Sequence, residues 1–212
     1  MAADERFQQT SYPARSPIHE LLSGAIARLT VLPDGEMTRA APIPAVVLPG
    51  SFNPRHGGHL GLARAAAEML GKPVHFEISV LNVDKPALSA DEVRRRLAQF
   101  AGQATVELTR APTFLEKARL FAGATFVIGA DTAERLVATR YYGDQQSQME
   151  AALDEMAERG VRFLVAVRRD ATGTLRSLDD AAIPPRYAGL FTAIPESCFR
   201  VDVSSTALRA GR

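Results

Sequence analysis

Residues 46–67 read VVLPGSFNPRHGGHLGLARAAA, and the rest of the chain is organised around them. The apolar run Val46-Val47-Leu48 predicts a strand. It passes into a loop of glycine, proline and asparagine that carries two histidines. A helix follows at once, because Leu60, Ala63, Ala67 and Leu70 recur at i, i+3, i+7 and i+10. Glycines just ahead of a helix let backbone approach a ligand and leave N–H groups facing an anion. The loop lacks the GK[ST] of a Walker loop and the GxGxxG spacing of a dinucleotide fold. What it holds is Gly50-Ser51-Phe52-Asn53-Pro54 and then His56-Gly57-Gly58-His59, an HxGH pattern.

Outward from this stretch the chain alternates. Strand-like runs fall at Ala45–Leu48, Val74–Val80, Thr105–Leu108, Thr125–Ile128 and Val161–Val167, with helices predicted over 59–70, 90–101, 113–121, 131–140 and 145–158. Ser89-Ala90-Asp91-Glu92 is a capping box for the second helix, whose buried stripe is Val93, Leu97 and Phe100. Apolar strands separated by helices imply a parallel sheet covered on both faces. With right-handed crossovers this is a doubly wound, Rossmann-like α/β fold. A last short strand over Phe199–Val203 is expected to run into Ser204-Ser205-Thr206 and a final helix.

Ahead of the alternation, Ser16-Pro17 opens a helix with Leu21, Leu22, Ile26 and Leu29 expected on one face. Leu29–Leu32 and Glu36–Arg39, on either side of Pro33-Asp34-Gly35, suggest a short hairpin. Residues 1–44 therefore read as an accessory segment packed on a main domain over 45–212.

Composition narrows the function classes. With 212 residues, 46% hydrophobic and 23% charged, the chain has the balance of an ordinary globular protein. Its net charge of +1 argues against binding nucleic acid by bulk electrostatics. The single cysteine, Cys198, excludes an internal disulfide and a cysteine-based zinc site. No apolar run approaches a membrane span and the N-terminal residues lack a secretory core, so a cytoplasmic location is expected. The sequence leaves self-association open.

Open parallel sheets bind ligands at the carboxyl ends of their strands, where strand order reverses. The segments just beyond the predicted strands are 50–59, 81–85, 109–113, 129–132, 168–169 and 204–206. They carry histidines, arginines, Lys85, hydroxyls and helix N-termini, which suits a polyphosphate. Cationic imidazoles at a helix N-terminus oppose the macrodipole unless an anion is bound. His56 and His59 flanking Gly57-Gly58 thus suggest a cradle for a transferring phosphoryl group.

The stretch GSFNPRHGGH resembles the signature of the HxGH nucleotidyltransferase superfamily, particularly the nicotinamide and nicotinate mononucleotide adenylyltransferases. Two further segments are similar to that family's elements in order and spacing. Phe126-Val127-Ile128-Gly129-Ala130-Asp131-Thr132 resembles its strand-end GxD element, and Ser204-Ser205-Thr206-Ala207-Leu208-Arg209 its C-terminal SSTxxR phosphate element. The resemblance implies attack of a mononucleotide phosphate on the α-phosphorus of ATP, with pyrophosphate leaving and a dinucleotide formed, a step of NAD biosynthesis or salvage. It implies catalytic roles for His56 and His59. Backbone contacts to ATP would come from Gly50, Ser51 and Phe52, and phosphate contacts from Ser204, Ser205, Thr206 and Arg209. Mg2+ would arrive with the triphosphate, since no carboxylate cluster for a metal is evident.

Candidates for the acceptor or a ribose are Lys85, Thr113, Gly129, Asp131, Tyr141, Tyr142 and Arg168. Asp131 also begins a possible capping box, Asp131-Thr132-Ala133-Glu134, so capping and ligand contact both remain open. Thr113 matches a family hydroxyl, but the surrounding TxxT-like pattern is not reproduced. The family usually stacks the pyridine on tryptophan, and this chain has none; Tyr141 and Tyr142 are the aromatic alternatives. Arg94-Arg95-Arg96, opposite the buried stripe, reads as a solvated face. A cytidylyltransferase or other transferase with a different phosphorylated acceptor is the alternative, and a non-catalytic nucleotide-binding module is a second one.

Overall fold

The computed structural model describes residues 16–83, 86–169 and 174–199. An eight-stranded sheet runs through it. Its central strand β3 (Val46–Pro49) leads to α2 (Gly57–Leu70), β4 (Val74–Ser79), α3 (Ala90–Leu97) and β5 (Val106–Thr109). The chain then crosses back through α4 (Phe114–Leu120) to β6 (Thr125–Gly129), α5 (Ala130–Leu136), α6 (Gln146–Glu158), β7 (Arg162–Ala166) and β10 (Phe191–Ala193). A separate two-residue pair, β8 (Arg168–Arg169) and β9 (Leu175–Arg176), lies between the last two. Strands β10, β7, β6, β3, β4 and β5 are neighbours in that order and mutually parallel. The fold is the expected doubly wound α/β sheet, and its order reverses between β3 and β6.

Side chains alternate along each strand, and this builds a core on either face. Val46 and Leu48 face one layer with Leu62 and Ala66 of α2 and Val93 of α3, while Val47 faces the other with Ala118 of α4 and Leu153 and Met156 of α6. The same alternation puts Val127 and Leu164 on the first face and Phe126, Phe163 and Val165 on the second. Phe126, Phe163 and Phe191 stack in series across that second face.

The N-terminal helix and hairpin both form. Helix α1 (Pro17–Ser23) ends at Gly24, whose φ of 85° is a left-handed stop suited to glycine. Leu21 is buried on α1 as expected, but Ile26 and Leu29 lie beyond the helix. Leu29 instead belongs to β1 (Arg28–Val31), which pairs with β2 (Met37–Thr38) and, antiparallel, with β5. The hairpin is thus an extension of the main sheet. Its junction is fastened by Glu107, fully buried on β5, whose Oε2 accepts from Arg28 Nε at 2.9 Å and Thr30 Oγ1 at 2.8 Å. Glu107 Oε1 lies 2.8 Å from His75 Nδ1 on β4. Burial works to raise the Glu107 pKa, but hydrogen bonds from His75 and Thr30 and the charge of Arg28 outweigh it, so the net shift is downward.

Three further differences have local causes. The second predicted helix stops at Leu97, and Phe100 completes the buried stripe from the turn beyond it. Ser89 does cap α3, its hydroxyl accepting from Glu92 N–H at 3.2 Å, but the Glu92 carboxylate turns forward to Arg95 and Arg96. Helix α5 starts earlier than predicted, with Gly129 as its N-cap, so Asp131 sits inside the first turn and makes no capping box. The expected strand over Phe199–Val203 lies almost wholly outside the described residues, and Phe199 itself is coil.

Because Leu29 is fully buried, Leu29→Ala should cost ~2–5 kcal/mol. Urea unfolding followed by far-UV circular dichroism checks this. A single shifted transition is expected, whereas an independent appendage would give a separate small transition and leave the main one in place.

Candidate active site

Ladder pairing between β3 and β6 covers only Val46 with Thr125 and Val47 with Phe126. Beyond those pairs the two strands part, and a crevice of about 440 Å³ opens at their carboxyl ends. Its walls come from the loop after β3, the ends of β4 and β6, α4, α5 and β8. This is the position that the reversal of strand order dictates.

The loop after β3 has an unusual internal support. Phe52 is a fully buried non-glycine residue with φ of 43°, a left-handed conformation that costs about 1–3 kcal/mol. Its ring sits edge-on to His59, Phe76 and Phe100 at 4.9, 5.4 and 5.3 Å between centroids. Such packing offsets the backbone cost. Gly50 passes directly above that ring, and a Cβ there would lie 2.7 Å from it. Helix α3 and its following turn clasp the loop from outside. Arg96 Nη1 donates to Ser51 O at 2.9 Å, Gln99 Nε2 to Phe52 O at 2.9 Å, and Arg55 N–H to Gln99 Oε1 at 2.7 Å. Arg95 adds a bond to Asn53 Oδ1 at 2.6 Å. With their carbonyls engaged, Ser51 and Phe52 have N–H groups without a protein acceptor among the described residues. Arg96 is therefore no solvated residue: it is 8% exposed and lines the crevice.

His56 is the N-cap of α2 and His59 its third helical residue. The His56 N–H donates to His59 Nδ1 at 3.2 Å, which places the proton of a neutral His59 on Nε2. The rings stack at 3.7 Å, and His56 Nδ1 is buried without a hydrogen-bond partner among the described residues. Burial, the neighbouring His56, and the charges of Arg168 and Arg55 push the His59 pKa down to about 3. Burial and Arg168 lower His56 as well. Both imidazoles are neutral near pH 7 in the free protein, and a bound anion would favour their charged forms.

Arg168 stands beside them and contacts Asp131 Oδ1 at 3.3 Å. That pair crowds Gly129, where a Cβ would come within 2.7 Å of Asp131 Oδ1 and 3.4 Å of Arg168 Cδ. Gly50, Ser51, His56, His59, Gly129, Asp131 and Arg168 are thus brought to one crevice, and Phe52 supports it from beneath. Thr113, Tyr141 and Tyr142 are not among the lining residues. Thr113 is the N-cap of α4, its hydroxyl bonded to Glu116 in a capping box. The Tyr142 hydroxyl donates to Leu136 O at 3.0 Å, and Tyr141 is exposed beneath the Arg140 guanidinium. Lys85, Ser204, Ser205, Thr206 and Arg209 lie outside the described residues. Phe199, just before the last of these, sets its ring against Gly61 of α2, where a Cβ would meet it at 2.8 Å.

A family model described as cytidylyltransferase-like matches residues 47–211, most of the chain. The chain belongs to that family. The family is part of the HxGH nucleotidyltransferase superfamily, and nucleotidyl transfer is the activity it supports. A comparison with curated proteins finds no match. Among the described residues no helix is long and apolar enough to cross a membrane.

Sequence reasoning missed several lining residues of this crevice: Glu77, Ser79, Phe114, Lys117 and Arg135. Glu77 had a readable signal, a carboxylate inside the apolar run Val74–Val80. It is 1% exposed and held by Lys117 Nζ at 2.8 Å to both oxygens. Breaking one side of such a buried pair typically costs about 3–5 kcal/mol.

Two outcomes follow from this geometry. Gln99→Ala should abolish hydrogen-exchange protection of the Arg55 amide, while overall stability falls by only ~1–2 kcal/mol. The second concerns pH. The folded pKa of His59 lies near 3 and its unfolded value near 6.5, so on acidification the unfolded chain takes up the proton first. Stability should fall as pH drops below about 6.5, with the loss complete near 3. Urea midpoints at pH 7 and about 5.5, above most carboxylate titrations, should show the decline, and His59→Gln should remove much of it.

Proposed function

We propose that this nucleotidyltransferase moves the adenylyl group of ATP onto nicotinamide or nicotinate mononucleotide and releases pyrophosphate. The observation that carries the reading is the His56–His59 stack beside Arg168 at the sheet's switch point, within the GSFNPRHGGH signature. An oxygen of the acceptor phosphate forms a bond to the α-phosphorus. The bond from that phosphorus to the bridging oxygen breaks, and pyrophosphate leaves with the electron pair. No proton has to move in this exchange, so the protein's task is positioning and charge stabilisation.

Each residue has a part in that task. The Nε2–H of His59 is a fixed donor for a phosphoryl oxygen, because Nδ1 is occupied by the His56 backbone. His56 and Arg168 supply further positive or donor character as negative charge moves toward the leaving group. The N–H groups of Ser51 and Phe52 are suited to oxygens of the nucleotide. Asp131 and Lys85 are candidates for ribose and phosphate, and Ser204, Ser205, Thr206 and Arg209 for the triphosphate. Asp131 and Glu77 are already paired with cations, and among the described residues no group of three metal-ligating side chains converges. Mg2+ enters as part of the substrate, MgATP.

The family's description favours one second reading, a cytidylyltransferase using CTP and another phosphorylated acceptor. Pyrophosphate release with ATP or CTP against a panel of phosphorylated acceptors distinguishes the two. Release with ATP and a pyridine mononucleotide is expected, and His59→Ala should lower kcat/KM by ~10²-fold or more. No turnover with ATP and either mononucleotide would reject the proposal, and turnover only with CTP would replace it with the second reading.

A further inference from the structure

The floor of the crevice carries an ionisable group for which the transfer step above has no use. Glu77, on β4, receives Thr109 Oγ1 at 2.5 Å and Lys117 Nζ at 2.8 Å on Oε1, and Lys117 Nζ again at 2.8 Å on Oε2. The third Lys117 donor goes to Ala111 O at 2.7 Å, so that ammonium has no N–H left for a ligand. A carboxylate has about four lone-pair sites, and three are occupied, which leaves one acceptor on Oε2. Two residues along the same face of β4 is Ser79. Its Oγ is buried and has no hydrogen-bond partner among the described residues. Both residues line the crevice, together with Phe114.

A buried carboxylate would be replaceable by apolar packing if only stability were at stake. A buried hydroxyl left unsatisfied is costly in the empty site and useful only once a partner arrives. Together they offer one acceptor and one hydroxyl, with no uncommitted cation between them. The complementary group is neutral and presents an N–H next to a carbonyl. A carboxamide does this, its NH2 donating to Glu77 Oε2 and its oxygen accepting from Ser79. A carboxylate placed there would face the charge of Glu77 with Lys117 already saturated.

Resting on the adenylyltransferase reading, we infer that Glu77 and Ser79 determine specificity for a carboxamide-bearing acceptor. The enzyme thereby selects nicotinamide mononucleotide over nicotinate mononucleotide. Phe114, one turn before Lys117 on α4, is a further apolar residue of the lining.

The test uses the full chain, with pyrophosphate release from ATP measured against each mononucleotide over a range of concentrations. The parent should favour nicotinamide mononucleotide by about 10-fold or more in kcat/KM. Ser79→Ala should raise KM for nicotinamide mononucleotide by about 10-fold, leaving KM for ATP and the melting temperature in place. Glu77→Gln, which supplies an amide donor, should narrow the preference, mainly through better use of nicotinate mononucleotide. Because that variant leaves the Lys117 charge without its carboxylate, Glu77→Gln/Lys117→Met is measured beside it, with circular dichroism to establish folding. Equal use of both mononucleotides by the parent, or a folded Ser79→Ala with unchanged preference, would overturn the inference and leave the adenylyltransferase reading standing. Turnover with neither mononucleotide would overturn both.

Discussion

The crevice depends on one strained residue being kept in place. Phe52 holds a left-handed backbone conformation that few bulky side chains adopt. Three aromatic neighbours bury its ring, and Arg96 of α3 and Gln99 of the turn after it take the carbonyls of Ser51 and Phe52. Reversing the peptide planes would cost those bonds and unpack the ring in the same movement. The loop is thereby held rigid although it consists mostly of turn-forming residues, and its donors are oriented before any ligand arrives. Pre-organisation of this kind lets dipoles act on a developing charge without first being reoriented.

Electrostatics at the mouth of α2 follow from the same support. The contact of His59 with Phe52 removes the imidazole from water, and stacking on His56 with Arg168 nearby makes a second positive charge unfavourable. Two histidines there are neutral donors by default and become cations only in the company of an anion. The site is consequently tuned to the appearance of negative charge. Elsewhere in the crevice Glu77 and Lys117, both buried, neutralise each other.

Much of this was legible from residue order alone, for physical reasons. Apolar runs of strand length broken by helical periodicity could bury both faces only as a parallel sheet, and the sheet's reversal places the site. The errors arose where tertiary contacts overrode local pattern. Arg96 lies off the buried stripe of α3, yet its long stem lets the guanidinium reach the Ser51 carbonyl. Leu29 extended a helical spacing from Leu22, but Gly24 ends the helix and Leu29 pairs with Leu108 on β5. Asp131 had the form of a cap, whereas Gly129 starts α5 and frees the carboxylate for Arg168. Thr113, a candidate for ligand contact, is the N-cap of α4. Capping and ligand binding call on the same small polar residues at the same helix ends, so sequence alone could not separate them.

The hairpin at one end of the sheet and β10 at the other have a bearing on assembly. The outermost described strands, β2 and β10, are two and three residues long. Each leaves too short a row of unpaired backbone groups to template another copy. Without β1 and β2, the four residues of β5 would instead be the open border of the sheet on that side. The tapered ends discourage continuation of the ladder from molecule to molecule.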